Sequence, residues 1–375
     1  MTKHDHDRKG RAFIKDISSN HIAMAFTGSF LGAGFVSGQE LTQFFAAFGG
    51  YGLLGMVVAV LMLLTLSCLV MKIARRTGII EFEKIIVRKE KPWLRAIFGG
   101  VFILFLFGVV VVMTAGAGAL LNQVFGLPKI WGNAFMAACL AMLGLWEAKG
   151  VLSVFRVTVP CLIVVAIISG VWSFFVFEGN GVVARPFSGA NPLLGNWLFA
   201  TVAFVSYNMM VAISILVPIA PNVEAEKSID RGIFQGAVQL LVAFVCILLP
   251  LIMNQTMLAG AELPMLMLAE TIAPVWGIVY AVLLLSGMFG SGLACLFGVT
   301  IRVKKIARNT RGSTLTLGLV AAAFIGSLAG FKELIATVFP VFGYIGFLAM
   351  IGIVLHYLSL RKEISIDISG SKFDP

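Results

Sequence analysis

The sequence predicts an all-α membrane protein of ten transmembrane helices, arranged as a 5+5 inverted repeat in which the first and sixth helices are broken. Three observations predict this fold class. The chain is 59% hydrophobic and 12% charged, whereas soluble domains carry about 25% charged residues. Its apolar residues form ten segments long enough to span a bilayer. The first segment, 17–48, is too long for one straight span of about 20 residues and is rich in glycine.

The first segment is interpreted as a discontinuous transmembrane helix. Its middle holds four glycines, each costing about 1 kcal/mol relative to Ala in a helix: Gly28, Gly32, Gly34 and Gly38. Unwound backbone in a bilayer is tolerated only where it lines an enclosed cavity, and broken helices build transport sites. The alternative is close packing of continuous helices through small-xxx-small glycine pairs. Glu40 favours the break, since intramembrane acids usually face a pathway or a partner.

Four further apolar segments complete the first half of the chain. They are 52–71, 93–122, 131–146 and 151–177. A basic, partly amphipathic segment, 72–91, follows the second span. The third span carries a run of small residues, 114–118, which could admit a ligand or only a neighbouring helix.

The second half follows a linker that contains Gly and Pro. Its spans are 193–217, 232–258, 274–301, 313–328 and 334–360, with a short outer helix predicted in 259–273. Because each half has an odd number of spans, the second half enters from the opposite side, which makes the repeats inverted. The predicted units are a basic cytoplasmic tail (1–16), the first repeat (17–177), an extracellular linker (178–192), the second repeat (193–360) and a cytoplasmic tail (361–375).

The basic residues predict the orientation of the chain. Of its 28 Lys and Arg residues, 25 fall in segments on one side of the predicted membrane, and three, Lys129, Arg185 and Lys332, fall on the other. The positive-inside rule then places both termini in the cytoplasm, and the plasma membrane is the expected location. The net charge of +10 reflects orientation and attraction to anionic lipid rather than nucleic-acid binding.

Repeat symmetry points to the middle of the sixth span as the second part of a binding site. Ser206, Tyr207 and Asn208 lie at mid-depth in the element that corresponds to the broken first helix. The alternative is local: Ser206 bonds to a backbone carbonyl, and Asn208 bonds to a neighbouring helix.

Free backbone groups at the first break suit a charged solute and an ion. The half-helix that begins near Gly34 presents N–H groups, which favour an anion such as a carboxylate. Carbonyls freed around Gly28 and Leu31 suit a cation such as Na⁺. The eighth span offers Ser291 in a run of small residues, whose simpler role is tight packing.

Two roles are open for Glu40. A carboxylate at the bilayer centre costs about 2.5–3.5 kcal/mol, so this side chain must be neutralised, hydrated or paired. It could carry protons if the sodium site is incomplete. It could instead accept hydrogen bonds from backbone N–H groups of a neighbouring broken segment, and this structural role is the one we expect.

The residues do not indicate an enzyme. The sequence holds no Gly-rich phosphate loop, no Ser/His/Asp arrangement and no CxxC motif. Its five cysteines are odd in number and all lie in apolar segments, so neither a disulfide nor a metal site is expected.

The motifs resemble those of the YkvI-like family of bacterial membrane proteins. The resemblance covers most of 20–360 and rests on these segments: Gly32-Ala33-Gly34-Phe35, Ser37-Gly38-Gln39-Glu40, Ala115-Gly116-Ala117-Gly118, Tyr207-Asn208, Pro264-Met265, Phe339-Pro340 and Phe342-Gly343-Tyr344. That family is similar to the amino acid–polyamine–cation superfamily. The similarity implies the leucine-transporter-type fold of five plus five inverted spans.

The resemblance also implies a set of site residues. For substrate these are Gly32, Ala33 and Gly34 with Ser206, Tyr207 and Asn208, to which we add Ser37 and Thr114. For a sodium ion they are the backbone oxygens of Gly28, Leu31 and Gly287 with hydroxyl groups of the eighth span. Sodium-coupled relatives usually place two adjacent hydroxyl residues there. This chain has Gly290-Ser291, so one ligand is missing.

The sequence therefore predicts a secondary active transporter for a small zwitterionic or anionic solute, an amino acid above all. Na⁺ or H⁺ would drive alternating access. A non-transporting ligand sensor on the same fold, as in spore-germinant receptor subunits, and a channel are the alternatives. The expected partners are the solute and membrane lipid, with no nucleic acid and no cofactor apart from Na⁺. The sequence does not determine the oligomeric state.

Overall fold

A computed structural model describes residues 17–87, 91–145, 151–176, 191–223, 225–307 and 310–370, and this part of the chain consists of helices and turns without a strand. The helices are α1 (Ser19–Phe30), α2 (Ala33–Val36), α3 (Gln39–Phe44), α4 (Gly50–Thr77), α5 (Phe82–Ile86), α6 (Pro92–Phe125), α7 (Lys129–Leu145), α8 (Val151–Val176), α9 (Trp197–Ile219), α10 (Glu226–Met253), α11 (Pro264–Ile272), α12 (Pro274–Ile306), α13 (Gly312–Ser327) and α14 (Phe331–Gly370). The predicted N-terminal tail and most of the predicted linker lie outside the described residues.

The described chain is a multi-pass membrane protein. Seven of its helices are long and apolar enough to cross a bilayer, namely α4, α6, α8, α9, α10, α12 and α14. Two shorter apolar helices, α7 and α13, and the interrupted segment α1–α3 accompany them. The arrangement of ten crossings in two inverted repeats remains a prediction of the sequence. The last helix runs about ten residues beyond the predicted end at 360, because no Gly or Pro follows until Gly370.

The first predicted span is interrupted at two places before α3 begins, and α3 ends at Phe44, ahead of a 3₁₀ turn at Ala46–Phe48. α1 ends at Phe30, Leu31 and Gly32 are non-helical, and α2 begins at Ala33. The first break is therefore two residues long and lies within the glycine-rich middle where the discontinuity was predicted. A second interruption, which the sequence reasoning missed, lies at Gly38, whose φ of 82° is in the left-handed region that favours glycine.

The prediction of a broken sixth helix is wrong. α9 is continuous from Trp197 to Ile219. The sequence holds no Gly or Pro between Trp197 and Val217, so nothing in this stretch favours unwinding. Two of its polar side chains bond within the helix: the Ser206 hydroxyl donates to the Val202 carbonyl at 2.7 Å, and the Asn208 amide donates to the Phe204 carbonyl at 2.9 Å.

Aromatic rings hold the interrupted segment against its neighbours. Phe35 and Phe45 both meet Phe244 of α10 edge to face, with ring centroids 4.8 and 5.3 Å apart. Phe45 and Phe44 meet Phe204 of α9 in the same manner, at 4.9 and 5.8 Å. These rings bury large apolar areas, and their edge-to-face geometry adds to the stabilisation. Short helical pieces that would not be stable alone are thereby fixed in the core.

Glycines on α10 allow α1 to approach closely. A Cβ added to Gly232 would lie 2.6 Å from Ile22 Cβ and 2.7 Å from the Ser19 carbonyl oxygen. Because one of these neighbours is backbone, the two helices would have to separate. We expect Gly232→Ala to lower the free energy of unfolding by about 1–3 kcal/mol, the usual cost of overpacking.

The matched control is Gly318→Ala on the exposed face of α13, where no atom lies within 4 Å of an added Cβ. This change should leave stability unchanged or raise it by up to about 1 kcal/mol. Thermal unfolding of both purified variants in detergent measures the difference. Equal midpoints would show that α1 and α10 do not depend on this contact.

Candidate functional site

A cavity of about 460 Å³ lies beside the break between α1 and α2. Seven helices, α1, α2, α3, α6, α9, α12 and α14, and the break contribute to its wall. The wall includes Gly28, Ser29, Phe30, Gly32, Ala33, Gly34, Glu40, Phe102, Phe105, Tyr207, Asn208, Ser214, Ser291, Cys295, Gly298, Arg302 and Phe339. Its volume lies in the range of small-molecule sites.

The cavity extends from the break toward the end of α12 that carries Lys304 and Lys305. Ser291, Cys295, Gly298 and Arg302 line it on successive turns of α12. The rise of 1.5 Å per residue makes that distance about 16 Å. This end of α12 is the one that the distribution of Lys and Arg predicts to be cytoplasmic. The cavity thus connects the break with the predicted cytoplasmic side.

An ion pair lies at the far end of the cavity. Arg302 pairs with Glu83 of α5, and its guanidinium lies over the Phe102 ring at 4.6 Å from the centroid. Phe82 stacks on the same Phe102 ring with centroids 4.4 Å apart. The short helix α5 is therefore joined to α6 and α12 where the cavity meets the predicted cytoplasmic surface.

Glu40 is the one carboxylate among the described residues that line the cavity. It is 7% exposed, and its Oε2 accepts a hydrogen bond from the Tyr207 hydroxyl at 2.9 Å. Its Oε1 lies against Gly34 so closely that an added Cβ there would overlap it. No Lys, Arg or His in the described part of the chain forms an ion pair with it.

The surroundings of Glu40 correct one expectation. The structural role predicted from sequence had backbone N–H groups of a broken neighbouring segment as donors to this carboxylate. The donor in the structure is instead the Tyr207 phenol, which belongs to the continuous helix α9. The carboxylate thus retains acceptor capacity toward the cavity.

Backbone polar groups at the break are left without backbone partners. Leu31 N–H donates to the Thr27 carbonyl, and Gly32 N–H donates to the Phe30 carbonyl. Neither N–H group therefore donates to the Gly28 carbonyl. Val36 N–H donates to the Gly32 carbonyl, and the three preceding N–H groups, from Ala33 to Phe35, have no backbone acceptor among the described residues. Such groups are costly in an apolar interior unless a ligand, water or ion satisfies them.

The cavity brings together eight of the residues predicted from sequence. They are Gly28, Gly32, Ala33, Gly34, Glu40, Tyr207, Asn208 and Ser291. The other five predicted residues do not line it: Leu31, Ser37, Thr114, Ser206 and Gly287. Gly287 lies next to the site, since a Cβ there would be 3.6 Å from Ala33 Cβ.

Local hydrogen bonds explain why three hydroxyl residues point elsewhere. The Ser37 hydroxyl donates to the Gly34 carbonyl at 2.7 Å, and the Thr114 hydroxyl donates to the Val110 carbonyl at 2.8 Å. Ser206 faces α14, where Met350 Sδ lies 3.6 Å from its hydroxyl. The run of small residues at 114–118 packs against α7 rather than a ligand, because a Cβ added to Gly132 of α7 would lie 2.6 Å from Gly118 Cα.

Sequence reasoning missed the aromatic walls and the cation of the site. Phe102, Phe105 and Phe339 line the cavity. Phe339 belongs to a family-like motif, but nothing distinguishes Phe102 and Phe105 among the 31 phenylalanines of the chain. The sequence did contain a signal that could have identified Arg302. It lies eleven residues after Ser291, about three helical turns, so both face the same side of α12.

Sequence comparison confirms the resemblance that the motifs indicated. No family model matches the chain. It is 27% identical over 347 residues to the uncharacterized membrane protein YkvI of Bacillus subtilis (strain 168), an alignment that covers 92% of this chain and 98% of YkvI. It is also 26% identical over 340 residues to the uncharacterized protein YyaD of the same organism, covering 88% and 94% of the two chains.

Solved transporters share the fold. A manganese transporter from Eremococcus coleocola, in complex with an aromatic bis-isothiourea substituted compound, superposes with a TM-score of 0.57 at 16% identity, over 95% of this chain and 87% of that one. The inward-facing conformation of Mhp1 superposes with a TM-score of 0.58 at 15% identity, over 88% and 74%. The chain therefore has a fold of the leucine-transporter type, and the solved structures that share it are transporters rather than enzymes.

The contact between Gly34 and Glu40 can be tested by adding one methyl group. Gly34→Ala forces the carboxylate away from α2, and we expect the free energy of unfolding to fall by about 1–3 kcal/mol. Gly32→Ala is the matched control, because no atom lies within 4 Å of its added Cβ and its φ of −78° suits alanine. Thermal unfolding in detergent is the measurement. A larger loss for Gly32→Ala would contradict this placement of Glu40.

Proposed function

We propose that this protein is a secondary active transporter of α-amino acids in the plasma membrane. The observation that carries the proposal is the Glu40 carboxylate, which is buried in a membrane-embedded cavity without a cationic partner among the described residues. A buried carboxylate requires a compensating charge or a proton. The ammonium group of a solute supplies that charge.

The neighbouring backbone suits the second charge of a zwitterion. The N–H groups of Ala33 and Gly34 have no backbone acceptor, and Gly34 is in contact with the Glu40 carboxylate. The ammonium and carboxylate of an α-amino acid are separated by a single carbon atom. One such molecule can therefore donate to Glu40 and accept from the N–H groups at the same time.

The rest of the cavity suits an apolar side chain. Phe30, Phe102, Phe105 and Phe339 contribute aromatic surface, and aromatic rings also attract ammonium groups. A mostly apolar wall with a few convergent polar groups is the usual form of a small-molecule site. The alternating-access cycle would then carry the bound solute between the two sides by moving one helix bundle against another.

The coupling ion is part of the same proposal. Gly28 and Ser291 both line the cavity, so a Na⁺ ion held by the Gly28 and Leu31 carbonyls and the Ser291 hydroxyl remains the first candidate. Such a site has fewer oxygen ligands than a hard cation prefers. Protonation of Glu40 is the second candidate, since it would neutralise the same carboxylate.

Counterflow in proteoliposomes tests transport itself. A thermal-shift screen of the purified protein against amino acids, with Na⁺ or choline present, first identifies a solute. Saturable counterflow of that solute supports the transporter. Binding without counterflow would indicate a ligand sensor, and flux that does not saturate would indicate a channel; either result overturns the proposal.

The role of Glu40 is tested by Glu40→Gln, which preserves shape and one acceptor but removes the charge. We expect the solute to bind about 10- to 100-fold more weakly, the usual cost of losing a hydrogen bond to a charged group. Ser206→Ala is the control, since that hydroxyl lies outside the cavity. The N-acetyl derivative of the solute, which lacks the ammonium, should bind the wild-type protein poorly. Its affinity should fall little further in the Glu40→Gln variant.

The same variant tests whether Glu40 carries a coupling proton. If Glu40→Gln still accumulates solute with an unchanged pH profile, Glu40 does not carry the proton. If exchange survives while pH-driven accumulation is lost, it does.

The sodium site is tested at Ser291. We expect Ser291→Ala to fold normally and to bind the solute more weakly in Na⁺ than wild type does, because an oxygen ligand is removed. Solute affinity in choline should be the same for both proteins. Equal wild-type affinity in Na⁺ and choline would show that sodium is not the coupling ion.

A further inference from the structure

A second, smaller cavity lies on the opposite side of α3 from Glu40. Its volume is about 70 Å³, and it lies between α3, the turn that follows α10, and the start of α14. The polar side chains in its wall are Gln39, Thr42, Gln43, Gln255 and Lys332. Because Lys332 belongs to a predicted outer loop, we call this space the outer pocket.

Gln39 presents an unsatisfied amide to the outer pocket. The residue is 1% exposed, and neither Oε1 nor Nε2 has a hydrogen-bond partner in the described part of the chain. A buried amide without partners costs roughly 1–3 kcal/mol per unmade bond in protein mutational data. Buried amides without any hydrogen-bond partner are rare in native proteins, and a ligand or an ordered water usually supplies the partner.

The charge of the outer pocket is positive. Lys332 contributes an ammonium that forms no ion pair with a described residue, and no described lining residue is acidic. Three acids follow lining residues along the chain, and none of them lines the pocket: Glu40 faces the other cavity, Glu262 is paired with Lys129 at 2.8 Å, and the Glu333 carboxylate lies beside Gly330. The hydroxyl of Thr42 donates to the Gly38 carbonyl at 2.8 Å.

We propose that the outer pocket binds a small monovalent anion, with Lys332 and the Gln39 amide as its principal donors. The Nε2 group of Gln39 can donate to the anion, and a water molecule bound beside it can donate to Oε1. A volume of about 70 Å³ has room for both, since a water needs about 10–15 Å³. A whole sugar acid would not fit.

Two sources could supply this chemistry: an inorganic chloride ion, or the carboxylate of an arriving solute. The second source rests on the proposed transport function, and the first does not. Gln39 and Glu40 are adjacent in α3, yet one faces the outer pocket and the other faces the cavity. An anion site would therefore lie directly across α3 from the proposed ammonium site.

The test is the thermal unfolding midpoint of the full-length protein in detergent, at constant sodium and ionic strength, as gluconate is replaced by chloride or by acetate. We expect a saturable rise of about 2 °C or more with at least one small anion. Lys332→Gln should lose most of that rise. Lys227→Gln, which removes a lysine that neither lines the pocket nor forms an ion pair with a described residue, should keep it.

The anion that produces the rise identifies the source. A response to chloride alone indicates the inorganic ion, and a response to acetate indicates a carboxylate. No anion-dependent rise in wild type, or an equal rise in both lysine variants, would overturn the proposal and leave water as the occupant. The unfolding midpoint does not depend on transport. The anion-dependent rise can therefore be absent from a protein that shows counterflow, and it can be present in a protein that shows none.

Discussion

The contact of the Glu40 carboxylate with Gly34 and Tyr207 is the interaction on which the rest of the site depends. It joins α2 and α3, the second and third helical pieces of the first segment, to each other and to α9. The carboxylate can lie there only because Gly34 has no side chain and because the backbone is unwound at Gly32. In a bilayer the same unwinding is tolerated only beside an enclosed space. The break, the cavity and the buried acid therefore require one another.

Sequence alone predicted the elements whose cause is local. The break near Gly32 follows from glycine content and from a segment longer than one span, and the burial of Glu40 follows from its position in that segment. The continuity of α9 has the same kind of local signal, the absence of Gly and Pro between Trp197 and Val217, but it was missed because the expectation of a second break came from repeat symmetry. That symmetry carries no information about the helix-forming residues present between Trp197 and Val217.

The direction of side chains was the least predictable part of the site. Ser206, Tyr207 and Asn208 are consecutive, so on a helix they point about 100° apart, and only the last two face the cavity. Which face is turned inward depends on packing against distant helices. For the same reason, the sequence does not show that Phe102 and Phe105 belong to the wall. Arg302 shows the converse: the sequence analysis missed it, although its helical spacing from Ser291 would have placed it on the same face of α12.

The placement of Glu40 against Gly34 has a consequence for how this chain can diverge. A homologue that acquires a side chain at position 34 has no space for a glutamate at position 40 in its present place. It must shorten the acid or lose the bond to the phenol at position 207. These three positions should consequently change together among homologues, although they lie on three separate helical pieces. Such covariation would reveal the site in an alignment even where the glycine-rich motif has drifted beyond recognition.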